Sequence, residues 1–205
     1  NGLRLKEIPG YDTVLVNAAR SLATRFRPGA GIIQSWNVTT KGWQSQQGWK
    51  CPVIIDNMMN LELLFKVSSL TADPTFWNIA VSHADKTLEH HYREDFSTYH
   101  VVDYDPETGQ VRSRCTAQGI ADESSWARGQ AWGIYGPMLT YIYKKDEKAL
   151  QTFKATSNYF LNHLPEDYIP FWDLCFTDGC NEPRDTSSAA IAVCGMLEAI
   201  KHMDE

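Results

Sequence analysis

The chain has 205 residues, 43% hydrophobic and 12% aromatic, with 25 acidic against 19 basic side chains and a net charge of -6. That is enough apolar material for one packed domain and excludes a disordered tail. No basic block or stripe is present, which excludes nucleic acid as a partner, and no apolar run reaches the ~18 residues of a membrane span.

Helical periodicity dominates, and six helices are predicted in chain order. The first, 11–27, carries Val14, Ala18, Leu22 and Phe26 on one stripe; the second, 56–71, is apolar almost all round. The third, 75–93, returns to one stripe, with Trp77, Ala84 and Leu88, and follows Asp73-Pro74, a cap residue with proline at the first helical position. The fourth, 125–144, is again apolar all round. The fifth, 147–163, has one stripe of Leu150, Phe153 and Phe160, and the sixth, 186–203, has Glu198 as its only charge between Ala189 and Ile200. Outer, half-wet helices thus alternate with inner, buried ones. Inner-to-outer links are short, whereas the outer-to-inner links, about 28–55, 94–124 and 164–185, are long enough to carry function. Each ends at an aspartate, Asp56, Asp122 and Asp185, near an inner-helix N-terminus. A repeated helical hairpin with one elaborated loop describes an all-α double-layered array, a closed toroid or an open solenoid, with a site on the loop-bearing rim. The array opens on an outer helix and closes on an inner one, so residues 1–205 are expected to be part of a larger domain.

The rim is rich in tryptophan: Trp36, Trp43, Trp49 and Trp172 lie in long loops and Trp126 in the first turn of an inner helix. Flat indole faces beside carboxylates suit a sugar. Asp56 follows the apolar run Pro52–Ile55, where desolvation raises a carboxyl pKa towards general-acid use, although a plain helix cap reads equally well. Asp122 and Asp185 read more strongly as caps. Arg128, inside an apolar helix, needs an anionic partner, either Asp122, Asp185 or a substrate carboxylate. His100, His90 and His91 read as solvated. Cys51, Cys115, Cys175, Cys180 and Cys194 are odd in number and irregularly spaced, and are read as scattered thiols with no disulfide framework; no metal or cofactor is expected. Asn1–Gly10 holds no apolar stretch, so no signal segment is expected, and the compartment stays open between cytoplasm and periplasm.

Ser125-Trp-Ala-Arg-Gly-Gln-Ala-Trp-Gly-Ile-Tyr-Gly136 resembles glycoside hydrolase family 88, the unsaturated glucuronyl hydrolases. Ile55-Asp-Asn-Met-Met-Asn-Leu61, Cys115-Thr-Ala-Gln-Gly119 and Pro183-Arg-Asp-Thr-Ser-Ser-Ala189 extend the resemblance over the chain. The resemblance implies an (α/α)6 toroid, about half of it here. It also implies removal of a 4,5-unsaturated uronic acid from lyase-cut oligosaccharides of glycosaminoglycan type, by hydration of the C4=C5 enol-ether bond. On this pattern Asp56 is the general acid/base, and His100, Thr116, Gln118, Trp126, Arg128 and Trp132 bind the sugar. Ala117 departs from the histidine of many members, which bears on sulfate or linkage preference. The family's second essential aspartate falls before residue 1, and the serines and tyrosine that hold the uronate carboxylate fall after residue 205, so these residues alone are expected to be weakly active or inactive. An exposed inner-helix surface predicts self-association. The alternatives are a family 105-like unsaturated rhamnogalacturonyl hydrolase and a non-catalytic sugar-binding scaffold.

Overall fold

A computed structural model describes residues 8–38 and 41–203; residues 1–7, read above for a signal segment, lie outside it. Among the described residues there are six α-helices: α1 Tyr11–Ala23, α2 Leu61–Thr71, α3 Pro74–His90, α4 Ala127–Lys144, α5 Glu147–Asn162 and α6 Thr186–His202. None is long and apolar enough to cross a membrane. The short links are as tight as the sequence requires. Ala72, in the left-handed region at φ 56°, ends α2, and Asp73 accepts the Thr75 N–H to start α3 with Pro74 in place. Lys145, at φ 54°, ends α4, and Asp146 caps α5 through the Lys148 N–H.

α4 is the central element. Ala131, Ile134 and Met138 are fully buried, and α4 packs against α5 and α6, with Gly195 of α6 crossing close to the backbone of Tyr135. Pro137 inside α4 removes the N–H that would bond Gly133 O. The Tyr92 hydroxyl donates to that carbonyl instead, at 3.0 Å. A second core joins α2 and α3 through Leu64, Phe65, Ile79 and Ala80.

Three features depart from the sequence reading. α1 stops at Ala23, short of Phe26, and buries Ala19 while Val14 of the predicted stripe is exposed. The long loops hold short strands: β1 Phe26–Arg27 pairs antiparallel with β2 Ile32–Ile33, and β3 Pro52–Ile54, β4 Val101–Tyr104 and β5 Val111–Cys115 form an antiparallel three-stranded sheet in that order. Inner helix α6 is buried on one side alone. Ser188, Ala192, Gly195 and Ala199 face inward, while Val193, Leu197 and Ile200 are 50%, 52% and 75% exposed. Its outer face, apolar apart from Glu198 and Lys201, borders an open groove of about 550 Å³ shared with Trp132, Tyr135 and Leu139 of α4.

Candidate active site

The three-stranded sheet gathers the first half of the site. Its register aligns Ile54 with Val101 and Val101 with Cys115. The residues just past that end, Asp56, His100 and Thr116, therefore meet although the chain separates them widely. The other end is anchored by buried Asp103, which accepts the N–H groups of Lys50 and Cys51 and pairs with Arg112. Asp56 itself lies in the 3-10 segment Ile55–Asn60 that joins β3 to α2, where its side chain caps nothing.

The N-terminal turns of α4 supply the second half. The start of α4, with Trp126, Arg128 and Trp132, is anchored by backbone bonds from Ala127 N–H to Trp172 O and from Leu174 N–H to Ser125 O. Buried Gln130 ties this turn to the preceding loop: its side-chain oxygen accepts from Thr98 N–H and Ser125 Oγ, and its amide donates to Phe96 O. A Cβ on Gly129 would stand 3.0 Å from the Trp126 ring and 3.5 Å from Ile55, so glycine is what lets that ring lie flat on the helix.

Asp56 is mostly buried, 17% exposed, and burial raises its carboxyl pKa from the ordinary carboxylate range to about 6, opposed by a backbone hydrogen bond, the Arg128 charge and a side-chain hydrogen bond with Trp132. His100 Nε2 lies 3.9 Å from Asp56 Oδ2. The imidazole packs on Trp126 with ring centroids 4.3 Å apart, and burial lowers its pKa to about 3. Its Nδ1 accepts the N–H groups of Ala117 and Gln118 at 3.1 and 3.3 Å, so Thr116 and Gln118 reach the cluster through their turn; the Gln118 side chain is exposed. Arg128 sits over Trp126 at 5.0 Å and pairs with Asp185 at 3.2 Å. Six of the seven sequence-predicted side chains thus lie near one another, and Gln118 joins them through its backbone N–H alone. Trp36 adds to them, edge-on to His100 at 6.4 Å, stacked on Trp49 and touched by exposed Trp43. Trp172 instead packs on Phe176 and donates to Glu182.

Four expectations need correction. His100 is buried, not solvated, because the sheet end and Trp126 enclose it. His91 is fully buried and bonded to Val53 O, and His90 is largely covered and bonded to Tyr104. Asp122 caps no helix, since its carboxylate accepts the Thr116 N–H at 2.8 Å. Arg128 is 41% exposed, so its guanidinium keeps solvent on one side while paired on the other. Asp185 does cap α6, through Ser188 N–H. All five cysteines are free thiols.

The chain is 43% identical over 190 residues to the unsaturated chondroitin disaccharide hydrolase of Streptococcus pneumoniae, covering 93% of this chain and 46% of that protein. It is 41% identical over 202 residues to the unsaturated glucuronyl hydrolase of Formosa agariphila, covering 96% and 49%. Among solved structures, the unsaturated glucuronyl hydrolase of Streptococcus agalactiae superposes with a TM-score of 0.85 at 43% identity, over 93% of this chain and 47% of that one. The corresponding enzyme of Bacillus sp. GL1 superposes with a TM-score of 0.89 at 36% identity, over 98% and 52%. The chain spans about half the length of the curated relatives it matches, and its double layer of helical hairpins is an arc of an (α/α)6 toroid. Residues 7–204 match the family Glycosyl Hydrolase Family 88, and the chain belongs to that family.

Proposed function

We propose that these residues are part of the catalytic domain of a hydrolase that removes 4,5-unsaturated glucuronic acid from the non-reducing end of lyase-generated oligosaccharides, of glycosaminoglycan type. The observation that carries this reading is the carboxyl of Asp56, largely buried and poised at about 6 beside His100, Arg128 and Trp132. Relatives named unsaturated chondroitin disaccharide hydrolase and unsaturated glucuronyl hydrolase support it, as does a solved relative described as specific for heparin, 38% identical to this chain.

An acid that holds its proton near neutrality can give it to a carbon of an electron-rich double bond. Asp56 protonates C4 of the enol ether, and positive charge develops at C5 and the ring oxygen. Water adds at C5 as the Asp56 carboxylate takes its proton, which restores the acid. The hemiketal opens to a ketone at C5 and a hemiacetal at C1, and the hemiacetal releases the next sugar. Since C1 is not attacked, the spacing rule for paired glycosidase carboxylates does not govern the outcome. Arg128, held by Asp185 and stacked over Trp126, faces the sugar as a partner for an anionic group. His100, Trp132 and the Thr116–Gln118 turn form the wall around the uronate, and the tryptophans at 36 and 43 extend an apolar face towards the following sugar. The bare face of α6 drives self-association of residues 1–205, which light scattering reads directly; a monomer at all concentrations contradicts that part.

The test is loss of the ultraviolet absorbance of the conjugated C4=C5 bond in unsaturated chondroitin and heparin disaccharides, using the full-length protein and its Asp56→Asn variant. Turnover that Asp56→Asn reduces by about 10²–10⁴ supports the assignment. Turnover at an unchanged rate in that variant refutes it.

A further inference from the structure

Two buried side-chain atoms of the cluster, Asp56 Oδ2 and His100 Nε2, lack a hydrogen-bond partner and face each other across 3.9 Å. The far side of the imidazole is fully engaged. Nδ1 receives the backbone N–H of Ala117 at 3.1 Å and of Gln118 at 3.3 Å, with Thr116 Oγ1 at 3.5 Å. A ring nitrogen that accepts amide protons carries none itself, so in the neutral ring the proton is on Nε2, the atom turned towards Asp56. Burial keeps the ring neutral, and His91 and Arg128, the charged or chargeable neighbours besides Asp56, act in the same direction.

We propose that the Thr116–Gln118 turn is a tautomer clamp, and that His100 is a positioning residue presenting a donor, never an acceptor, to Asp56. This rests on the reading of Asp56 as the acid. The consequence is a matter of where the acid's proton can go. Trp132, which hydrogen-bonds the same carboxyl, has an indole N–H and no acceptor; Arg128 likewise only donates. With His100 clamped, His100, Trp132 and Arg128 all offer donors to the carboxyl, and the protonated acid finds no acceptor among them. Its proton is left for the substrate carbon. In the opposite tautomer Nε2 would accept from the acid, and the pair would share the proton that the reaction needs. The facing pair also defines its occupant by chemistry: an oxygen beside both atoms, from water or a sugar hydroxyl, accepts from Nε2–H while lying against Oδ2.

The experiment is a long-range proton–nitrogen correlation spectrum of the protein labelled with ¹⁵N-histidine, with His100 assigned by the signals lost in His100→Gln. The expected result is a bare Nδ1 and a protonated Nε2, unchanged from about pH 8 to about pH 5. A protonated Nδ1, or a ring that becomes imidazolium within that range, overturns the inference whatever the activity. A second variant removes one clamp donor while replacing no side chain that faces Asp56: Ala117→Pro deletes that N–H. In the full-length protein kcat should fall by at least about tenfold, as expected of a misassigned tautomer, with KM changed less and protonated Nδ1 appearing in the spectrum. A folded Ala117→Pro protein with unchanged kcat also overturns the inference. The separate Asp56→Asn assay tests the underlying reading, so the two can fail independently.

Discussion

Asp56→Asn tests the energetics of the site as well as its chemistry. The carboxyl is mostly buried, and its pKa rises from 3.8 to about 6; at 1.36 kcal/mol per unit, that is roughly 3 kcal/mol of differential stability between its two charge states. The sign follows from linkage. A raised folded-state pKa contributes stability that is fully present below the unfolded value of 3.8 and is lost as pH rises through about 6. Asparagine does not titrate. It keeps an oxygen for Trp132 but turns an amide donor towards His100 Nε2–H, which is a fixed cost at every pH. The difference in unfolding free energy, variant minus parent, should therefore climb by about 2–3 kcal/mol between about pH 4 and about pH 7, whatever its starting value. Urea melts at a series of pH values measure it, with contributions from other groups cancelling in the difference. A flat difference, or one that falls with pH, would show that Asp56 is not the strained carboxyl described here.

The remaining predictions concern other parts of the same structure. His83, His91 and His100 are held neutral by burial, at about 3, 4 and 3, against 6.5 in the unfolded chain; the protein should lose stability as pH falls from about 6.5 towards about 4, and His91→Gln should flatten the urea midpoint over that window. Arg128→Ala should lower kcat/KM by about 10–100-fold through a lost charged contact, and should move the alkaline limb of the pH–rate profile upward, because the Arg128 charge lowers the Asp56 pKa; a limb that stays in place separates the two residues. Gly136→Ala should destabilise by about 1–3 kcal/mol, because the new Cβ would meet Met58 Cβ at 2.6 Å; a gain in the urea midpoint, the usual helix-propensity result, would disprove that contact.

The helices were legible because their signal is local. The stripes of α3 and α5 and the unbroken apolar surface of α4 predict what the structure shows, and Asp73-Pro74 starts α3 as its residues demand; the stripe of α1 does not, since Val14 is 63% exposed and Ala19 is the residue buried. The same rule overreached for α6: an apolar surface marks what can be covered, and Val193, Leu197 and Ile200 have no neighbour here to cover them. The sheet was not legible. β3 is three residues long and β4 is buried on both faces, so neither shows a readable alternation. His91 looked polar because its partner, Val53 O, arrives from 38 residues away. For the candidate site, the motif named seven positions that lie near one another, but the direction of each group came from elsewhere. The bonds from the Thr116–Gln118 turn to His100, and the use of Asp122 to hold that turn, are made by backbone amides whose location no side-chain pattern encodes.

The alignment of Ile54, Val101 and Cys115 has a consequence for tolerance to change. The acid and the imidazole owe their separation to rungs of one ladder, so the length of chain between α2 and β4 does not set it. Lengthening the α2–α3 turn at Ala72 should leave the 3.9 Å spacing as it is. Deleting a single residue within β4 should not, because odd shifts reverse every side chain along a strand. Variation among natural and engineered sequences should therefore accumulate as insertions at that turn, while strand lengths beside the site stay constant.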